Sequence, residues 1–280
     1  MAESLLNNEP LIRLAAFAAI LASMAGWELL APRRDQGIGR TTRWPSNIGV
    51  VVLDTILMRL AFPMTAVGLA LLAETRGWGL LNGRQVSAWL AIPLSVVALD
   101  LAIYFKHVLF HAVPALWRLH RMHHADLEFD VTTGTRFHPV EILISMVIKL
   151  GVITALGAPA VAVVAFEILL NATSMFNHGN VRIPVRLDRA LRWIVVTSDM
   201  HRVHHSIERR ETNSNFGFNL PWWDRLFGTY RDQPEVGHTA MVIGIEQFRD
   251  PAELRLHRML LQPFRNPSGP TPTGRDEQEG

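Results

Sequence analysis

Ten histidines lie between residues 107 and 205, and nine of them, all except His138, are arranged so that several imidazoles could come together. His107 and His111 are four residues apart, and an HxxHH motif occurs twice, at 120–124 and at 201–205. Residues three and four apart share a face of an α-helix, so each motif would direct its imidazoles to one side. Imidazole binds Fe, Zn, Cu and Ni, and nine imidazoles are more than one ion needs. We therefore predict that these clusters bind metal.

The spacing leaves the chemistry of such a site open. Two metal ions with four or five ligands each would use about nine imidazoles. Iron there could activate dioxygen and abstract hydrogen from an unactivated C–H bond, whereas zinc could polarise water for hydrolysis. The chain contains neither an HExxH nor a GxSxG motif, which disfavours a zincin-type protease and a serine lipase.

The composition indicates a membrane protein with a substantial polar part. Of the 280 residues, 49% are apolar, the net charge is +2, and there is no cysteine. The small net charge gives no sign of nucleic-acid binding. The lack of cysteine excludes disulfides, cysteine-ligated zinc sites and iron–sulfur clusters. Histidine and carboxylate remain as the strong metal ligands.

Apolar stretches predict an all-α, polytopic membrane helix bundle of about four to five spans with a cytoplasmic histidine-rich helical cap. The stretches are 11–30, 48–73, 86–110, 140–156 and 160–176. The first is too long for the core of a cleavable signal peptide, so we interpret it as a membrane helix. The basic segment 32–47 places the histidines on the cytoplasmic side by the positive-inside rule. In a bacterium this would be the plasma (inner) membrane.

Polar residues interrupt some of these stretches. Asp54 and Arg59 would be costly in lipid unless they face the bundle interior, where they could pair with each other. Asp100, Tyr104, His107 and His111 form one stripe of the third span. Asp100 and Tyr104 could form a buried hydrogen-bonded pair, support a ligand histidine, or do both. The Arg-rich stretch that begins at Val181 predicts an amphipathic helix at the membrane surface.

The order of the motifs, HxxxH, HxxHH, HxN and HxxHH, resembles the fatty acid hydroxylase / sterol desaturase superfamily. The resemblance covers about residues 45–265 and is closest to the bacterial-type sterol desaturase-like members. The surrounding residues support it, in the order DLAIYFKH from Asp100, LWRLHRMHH from Leu116, DVTTGTRFHPVE from Asp130, NFG from Asn215 and WDRLFGTY from Trp223.

The resemblance implies a diiron, O2-dependent membrane enzyme that hydroxylates or desaturates fatty acyl chains, sterols or related lipids. Its metal ligands, carried over by position, are His107, His111, His120, His123, His124, His178, His201, His204 and His205. His138 is either a further ligand or an adjacent support. Glu141, Asn180 and Asn215 lie within the same motifs, and we expect them to support the ligands. Zinc could replace iron in purified protein.

Two positions depart from the family pattern. Some members carry a histidine four residues before the one that matches His178, and this chain has Ser174 there, which could leave one metal with an open position. Asp199 stands where proline is common before the last HxxHH motif. It could orient an imidazole or cap the helix that carries this motif. His238 and His257 fit no ligand spacing, and we interpret them as surface or locally bonded side chains.

An oxidase of this kind would need a separate electron donor, such as a ferredoxin, a cytochrome or a reductase, because the chain has no cysteine and no GxGxxG fingerprint. The partners expected are therefore this donor, a lipid substrate and the membrane. We expect one domain over 1–265 and a disordered tail over 266–280. The alternatives are a metal-dependent lipid enzyme that does not hydroxylate and a non-catalytic metal-binding membrane protein.

Overall fold

The computed structural model describes residue 6 and residues 8–265, and this part of the chain is all-α. It contains only two isolated β-bridges, Pro32 with Val181 and Ser206 with Ile243. The all-α prediction is confirmed. The predicted tail over 266–280 lies outside the described residues, as do residues 1–5 and 7.

Helices of seven or more residues are numbered α1 to α9 in chain order. They are α1 (Glu9–Leu30), α2 (Arg40–Ala61), α3 (Ala66–Thr75), α4 (Ala88–Ala112), α5 (Pro114–His124), α6 (Pro139–Leu156), α7 (Ala160–Asn177), α8 (Val185–Leu191) and α9 (Ser198–His204). Shorter α-helical turns are Leu80–Gly83, Arg209–Thr212, Trp222–Leu226, Gly237–Ala240 and Leu256–Leu261, and the 3-10 turns are Thr133–Thr135, Pro251–Leu254 and Gln262–Phe264.

Five segments of the described chain are long and apolar enough to cross a membrane. They are α1, the stretch Arg40–Gly83 that contains α2 and α3, and then α4, α6 and α7. Helix α1 packs against α7, and α4 packs against α5, α6 and α7. The C-terminal ends of α4 and α7 and the N-terminal end of α6 meet at one end of the bundle. All nine predicted ligand histidines are buried at this end. The number of predicted spans likewise brings the histidine motifs to one side of the membrane.

The predicted limits of the second span are wrong. Helix α2 begins at Arg40, inside the predicted loop 32–47, and ends at Ala61. The chain is then non-helical until Thr65, whose hydroxyl accepts a hydrogen bond from the backbone N–H of Gly68 and caps α3. Pro63 explains the break, because proline lacks an N–H and disfavours helical backbone in the residue before it.

The suggested pair of Asp54 and Arg59 is also wrong. Asp54 is buried in α2, whereas Arg59 is exposed on the same helix. Side chains five residues apart on a helix point in directions that differ by about 140°. The two charges therefore face different surroundings.

Candidate metal centre

Two consecutive helices bring the first two histidine motifs together. Helix α4 carries His107 and His111 in its last two turns and ends at Ala112. Pro114 occupies the first turn of α5, where its missing N–H costs nothing, so the chain turns and starts a new helix at once. Helix α5 then places His120, His123 and His124 beside the end of α4.

The remaining histidines come from the ends of α7 and α9. His178 directly follows the last residue of α7. Helix α9 carries His201 and His204, and His205 follows it. The hydroxyl of Thr197 accepts a hydrogen bond from the backbone N–H of Met200 and caps this short helix. The cap is therefore Thr197 and not Asp199, so the capping role suggested for Asp199 is wrong.

The nine histidines form two groups, and within each group one ring nitrogen per residue lies within 4.8 Å of the others. The five-histidine group is His107, His111, His120, His124 and His204, and the four-histidine group is His123, His178, His201 and His205. The groups adjoin, because the rings of His124 and His205 stack with centroids 4.4 Å apart. Two metal ions held by these groups would therefore be neighbours.

Each HxxHH motif contributes to both groups. In α5 the first and last histidines, His120 and His124, join the five-histidine group, while His123 joins the other. In the second motif His201 and His205 join the four-histidine group, while His204 joins the other. Residues four apart share a helix face, and the residue between them points elsewhere. The two motifs thus interlock, each lending its middle histidine to the partner group.

Five imidazoles are held through Nδ1 by an oxygen acceptor. The Nδ1 atoms of His107, His204 and His178 donate to the backbone carbonyls of Phe216 (2.8 Å), Ser214 (2.7 Å) and Ser174 (2.8 Å). Nδ1 of His123 donates to the carbonyl of Arg136 at 3.2 Å, and Nδ1 of His120 donates to the Glu141 carboxylate at 2.9 Å. Such bonds fix the tautomer and leave the Nε2 lone pair free for a metal.

The free nitrogen atoms fit a metal ion. In the five-histidine group, Nε2 of His107, His120 and His204 is buried without a hydrogen-bond partner. In the other group, Nε2 of His178 lies 3.1 Å from Nε2 of His123. Because both rings carry their proton on Nδ1, two lone pairs face each other at this distance with no proton between them. A cation bound by both nitrogens would explain this approach.

The electrostatic surroundings keep the imidazoles neutral. Burial lowers the pKa of His178 and of His204 to about 3, and burial together with neighbouring imidazoles lowers the pKa of His123, His124 and His205 well below 6.5. Metal ligation requires the neutral form of histidine. At pH 7 these residues are therefore in the form that binds metal.

Glu141 connects one ligand position to a lysine that the spacing did not identify. Its carboxylate accepts hydrogen bonds from His120 and from Lys106. Lys106 neighbours His107 on α4, so its backbone position directs it to a different side of the helix. The long side chain of Lys106 nevertheless reaches Glu141, and it also lies over the ring of Phe110.

The side chains of the other expected supporting residues bond to parts of the chain other than the ligand imidazoles. The Asp100 carboxylate accepts from the N–H groups of Asn219 and Leu220 and from the indole of Trp223. The Tyr104 hydroxyl bonds to Thr229. These two side chains attach α4 to residues 219–229 and do not form the buried pair with each other that the sequence suggested.

Asn215 and Asn180 likewise hold the backbone. Asn215 donates to the carbonyls of Met200 and Arg231 and accepts from the N–H of Arg231. Asn180 exchanges hydrogen bonds with the backbone of Arg34. Asp199 forms ion pairs with Arg33 and Arg202.

Two other buried histidines, His138 and His238, lie outside both groups. The ring of His138 caps α6 by accepting from the N–H of Val140, and its other nitrogen contacts the carbonyl of Leu260. His238 is buried and bonded to Gln233, 3.6 Å from Asp199, in agreement with the local role expected for it.

A close contact occurs at Ser174, where some family members have a histidine. The Ser174 hydroxyl donates to the carbonyl of Gly134 at 2.6 Å, and the Ser174 carbonyl accepts from His178. A Cβ atom on residue 134 would lie 2.4 Å from the Ser174 carbonyl oxygen and 3.1 Å from Nδ1 of His178. Only glycine therefore allows the turn Thr133–Thr135 to approach α7 so closely.

The sequence motifs did not predict a buried network of ion pairs that lies next to the histidine groups. Arg43 of α2 pairs with Asp126 and Asp130, and its side chain is fully buried. Arg136 lies 3.6 Å from Asp126, and the Arg136 carbonyl receives the His123 bond. The burial of Arg43 explains why α2 begins at Arg40. The signal in the sequence was Arg43 at the edge of an apolar stretch. A buried arginine is costly unless it is paired, so its position indicated a buried carboxylate partner.

The fold and the site define a multi-pass membrane protein with paired histidine groups, and the comparisons identify its family. Residues 92–229 match the family model described as fatty acid hydroxylase. This segment contains all nine histidines of the two groups. The resemblance to the fatty acid hydroxylase / sterol desaturase superfamily is thus confirmed over residues 92–229.

Several curated proteins are similar to this chain. It is 30% identical over 148 residues to the ornithine lipid hydroxylase OlsE of Rhizobium tropici, covering 53% of this chain and 44% of that protein. It is 25% identical over 172 residues to the alkylglycerol monooxygenase of Xenopus tropicalis, covering 60% and 36%. It is 27% identical over 169 residues to the fatty acid hydroxylase vlmA of Lecanicillium sp, covering 53% and 44%. The chain thus spans less than half the length of these relatives. No solved structure matches it.

Proposed function

We propose that this protein is a membrane-bound, O2-dependent lipid hydroxylase that uses two iron ions. The observation that carries the proposal is the pair of adjacent, buried imidazole groups, in which Nδ1 bonds direct Nε2 lone pairs at one another. The five-histidine group would hold one ion and the four-histidine group the other. When bound, the iron pair would supply the reduction of O2 and the oxidation of a substrate C–H bond.

The choice of iron and of hydroxylation rests on the relatives. Imidazole suits iron, zinc and copper, but zinc has no redox chemistry. The names of the relatives describe hydroxylases and a monooxygenase, and a monooxygenase places one oxygen atom of O2 in its product and reduces the other to water. This reaction needs two electrons and two protons. None of these three relatives is named as a desaturase.

The electrons would come from a separate donor, since the chain has no cysteine for an iron–sulfur cluster and no dinucleotide fingerprint. A ferredoxin, a cytochrome or a flavin-containing reductase fits this requirement. Arginines near the histidine end of the bundle, such as Arg33, Arg34 and Arg182, favour a cytoplasmic site by the positive-inside rule.

The substrate would be a lipid, because α4 carries His107 and His111 at the end of a membrane-spanning helix. The protein residues would orient the ligands and exclude water. Phe137 stacks on His123 with ring centroids 4.3 Å apart, and Phe216 meets the edges of His107 and His204. These aromatic contacts limit the movement of the imidazoles.

The first test is the metal content of the detergent-purified protein, expressed with iron supplied. We expect about two irons per chain, by the proposed ligand count. The double substitution His123→Ala and His124→Ala removes one ligand from each group and should lose both ions. His257→Ala, at an exposed histidine outside both groups, is the matched control and should keep them.

A second measurement addresses the reaction. Cells that express the protein under ¹⁸O2 should contain a lipid with one labelled hydroxyl group, and cells with the double variant should not. One zinc per chain, or no metal, would contradict the diiron proposal. Two irons without a labelled lipid would contradict hydroxylation.

A further inference from the structure

The N-terminal helix lies outside the family-matched segment 92–229, yet its end contacts the metal centre. Glu28, in the last turn of α1, has a fully buried side chain. Its Oε1 atom accepts from the backbone N–H of Val131 at 2.7 Å and of Asn180 at 2.8 Å, and its Oε2 atom accepts from Arg40. One carboxylate thus joins the segment before Gly134 to the residue two positions after His178.

The residues after Glu28 continue this attachment. The carbonyl of Ala31 accepts from the N–H of Arg182 at 2.9 Å, and the N–H of Arg33 donates to the carbonyl of Asn180 at 3.0 Å. Pro32 and Val181 form an isolated antiparallel bridge between these bonds. The backbone that follows His178 is therefore held against residues 31–33 by two backbone hydrogen bonds.

A third contact reaches the helix that carries the last motif. The guanidinium of Arg33 donates to both oxygens of Asp199, at 3.1 and 3.0 Å. Asp199 lies in the first turn of α9 and also pairs with Arg202. Segment 28–34 therefore contacts both chain segments that supply His178, His201 and His205, and the second of them, α9, also carries His204, which the Ser214 carbonyl holds separately.

The five-histidine group has different supports. His107 and His204 are held by the carbonyls of Phe216 and Ser214, and His120 is held by Glu141. None of these acceptors lies in segment 28–34. The division suggests that the two groups depend on different parts of the chain.

We propose that segment 28–34 positions the four-histidine group, so that the end of α1 selectively controls one of the two metal ions. This inference rests on the proposed two-metal function. Glu28 and Arg33 act as positioning residues, since they contact the backbone and Asp199 and do not contact the metal ligands themselves.

The test uses substitutions at Glu28 in the full chain. Glu28→Leu removes both acceptor oxygens. Glu28→Gln keeps one acceptor oxygen and should largely preserve the hydrogen bonds from Val131 and Asn180. Loss of such supports typically lowers metal affinity by about 10- to 100-fold. We therefore expect one of the two irons to leave to a chelator about tenfold faster in Glu28→Leu, with the other unchanged and with near-normal release in Glu28→Gln.

Two further variants, each lacking one histidine of one group, serve as backgrounds that identify which ion is affected. In a His204→Ala protein the remaining iron belongs to the four-histidine group, and adding Glu28→Leu should speed its release. In a His201→Ala protein the remaining iron belongs to the five-histidine group, and adding Glu28→Leu should leave its release unchanged. Glu9→Leu is the matched control, because Glu9 is a buried glutamate of the same helix that pairs with Arg13.

Arg33→Met tests the same inference with less risk to folding, because the Arg33 side chain is partly exposed. It should accelerate release in the His204→Ala background. Unchanged release in both the Glu28 and Arg33 variants, or equal acceleration in both backgrounds, would overturn the inference. A wild-type protein that does not bind two irons would instead contradict the proposed function.

Discussion

Glu141 shows how a single side chain can control a ligand that it does not replace. Its carboxylate accepts a hydrogen bond from Nδ1 of His120 and another from Lys106. In Glu141→Ala the His120 ring would lose the bond that fixes its tautomer. We expect the affinity for one iron to fall by about 10- to 100-fold, measured by competition with a chelator.

The matched control for this prediction is Glu253→Ala. Glu253 is also a buried carboxylate, but its partners are Arg258 and Arg265. This variant should bind iron like the wild type. Equal iron affinity in the Glu141 and Glu253 variants would show that the carboxylate does not support His120.

The buried histidines also predict how the metal-free protein responds to acid. In the unfolded chain a histidine takes up its proton near pH 6.5, whereas burial lowers the pKa of His178 and of His204 to about 3 in the folded protein. The unfolded state therefore binds more protons between these values. Folding stability should be fully present above pH 6.5 and should decrease as the pH falls towards 3.

The measurement is the thermal unfolding midpoint of chelator-treated protein in detergent, between pH 7.5 and about 4.5, which spans the ordinary histidine pKa. The exposed His257 provides the control, since His257→Gln should not change the profile. A midpoint that stays constant over this range would contradict the prediction.

The residue types could be predicted from the sequence, but their partners could not. Spacing identified eight of the nine histidines that the structure gathers, and the HxN motif of the family resemblance identified His178. It could not identify Glu28 or Arg43, because their partners Asn180 and Asp126 lie 152 and 83 positions away along the chain. Long-range pairing of this kind depends on how the helices pack, which no local pattern records.

At the level of helices, α5 and α9 each supply both groups. The periodicity of an α-helix predicted that each HxxHH motif has one face, and the structure shows that its middle histidine joins the opposite group. This exchange depends on α5 and α9 facing each other, which follows from tertiary packing. Similarly, the apolar pattern located α2 but not its start at Arg40, which the buried Asp126 and Asp130 determine.

The close approach of the turn Thr133–Thr135 to α7 gives a prediction for Gly134→Ala. The added Cβ would lie 2.4 Å from the Ser174 carbonyl oxygen, which accepts the His178 bond. The turn and the helix must separate, so His178 should shift. We expect loss of iron mainly from the four-histidine group, measured as iron per folded chain.

Gly151→Ala is the control for this change. Gly151 lies within α6, and a Cβ there would meet no atom within 4 Å. Alanine also favours helix more than glycine by about 1 kcal/mol. This variant should keep its iron and its stability. If Gly134→Ala did the same, the close approach would not matter for His178.

At the scale of the molecule, an exposed apolar surface extends from the bundle to the cap. It consists of Trp193, Ile194, Trp222, Leu226 and Phe227. The Trp222 indole donates to the carbonyl of Trp193, and the Phe227 ring contacts Phe105 of α4, with centroids 5.1 Å apart. The surface is thus continuous with a membrane-spanning helix. Exposed tryptophan beside such a helix is typical of the membrane interface.

Because the chain has no cysteine, an introduced thiol is a unique labelling site. An environment-sensitive fluorophore at Ile194→Cys should show blue-shifted emission in bilayers, since the surface enters the headgroup region. The same fluorophore at Glu246→Cys, an exposed position of the cap, should emit as in water. Water-like emission from both sites would contradict membrane contact by this surface.

The bonds between the end of α1 and residues 180 and 199 also constrain the order in which the protein can be completed during synthesis. Their partners are separated by 152 and 166 positions, so α1 enters the membrane long before the ribosome has made them. A nascent chain that stops before residue 201 lacks His201, His204 and His205, and with them part of both groups. Loading of the proposed iron pair would therefore be a late event in biogenesis, which would limit redox chemistry on incomplete chains.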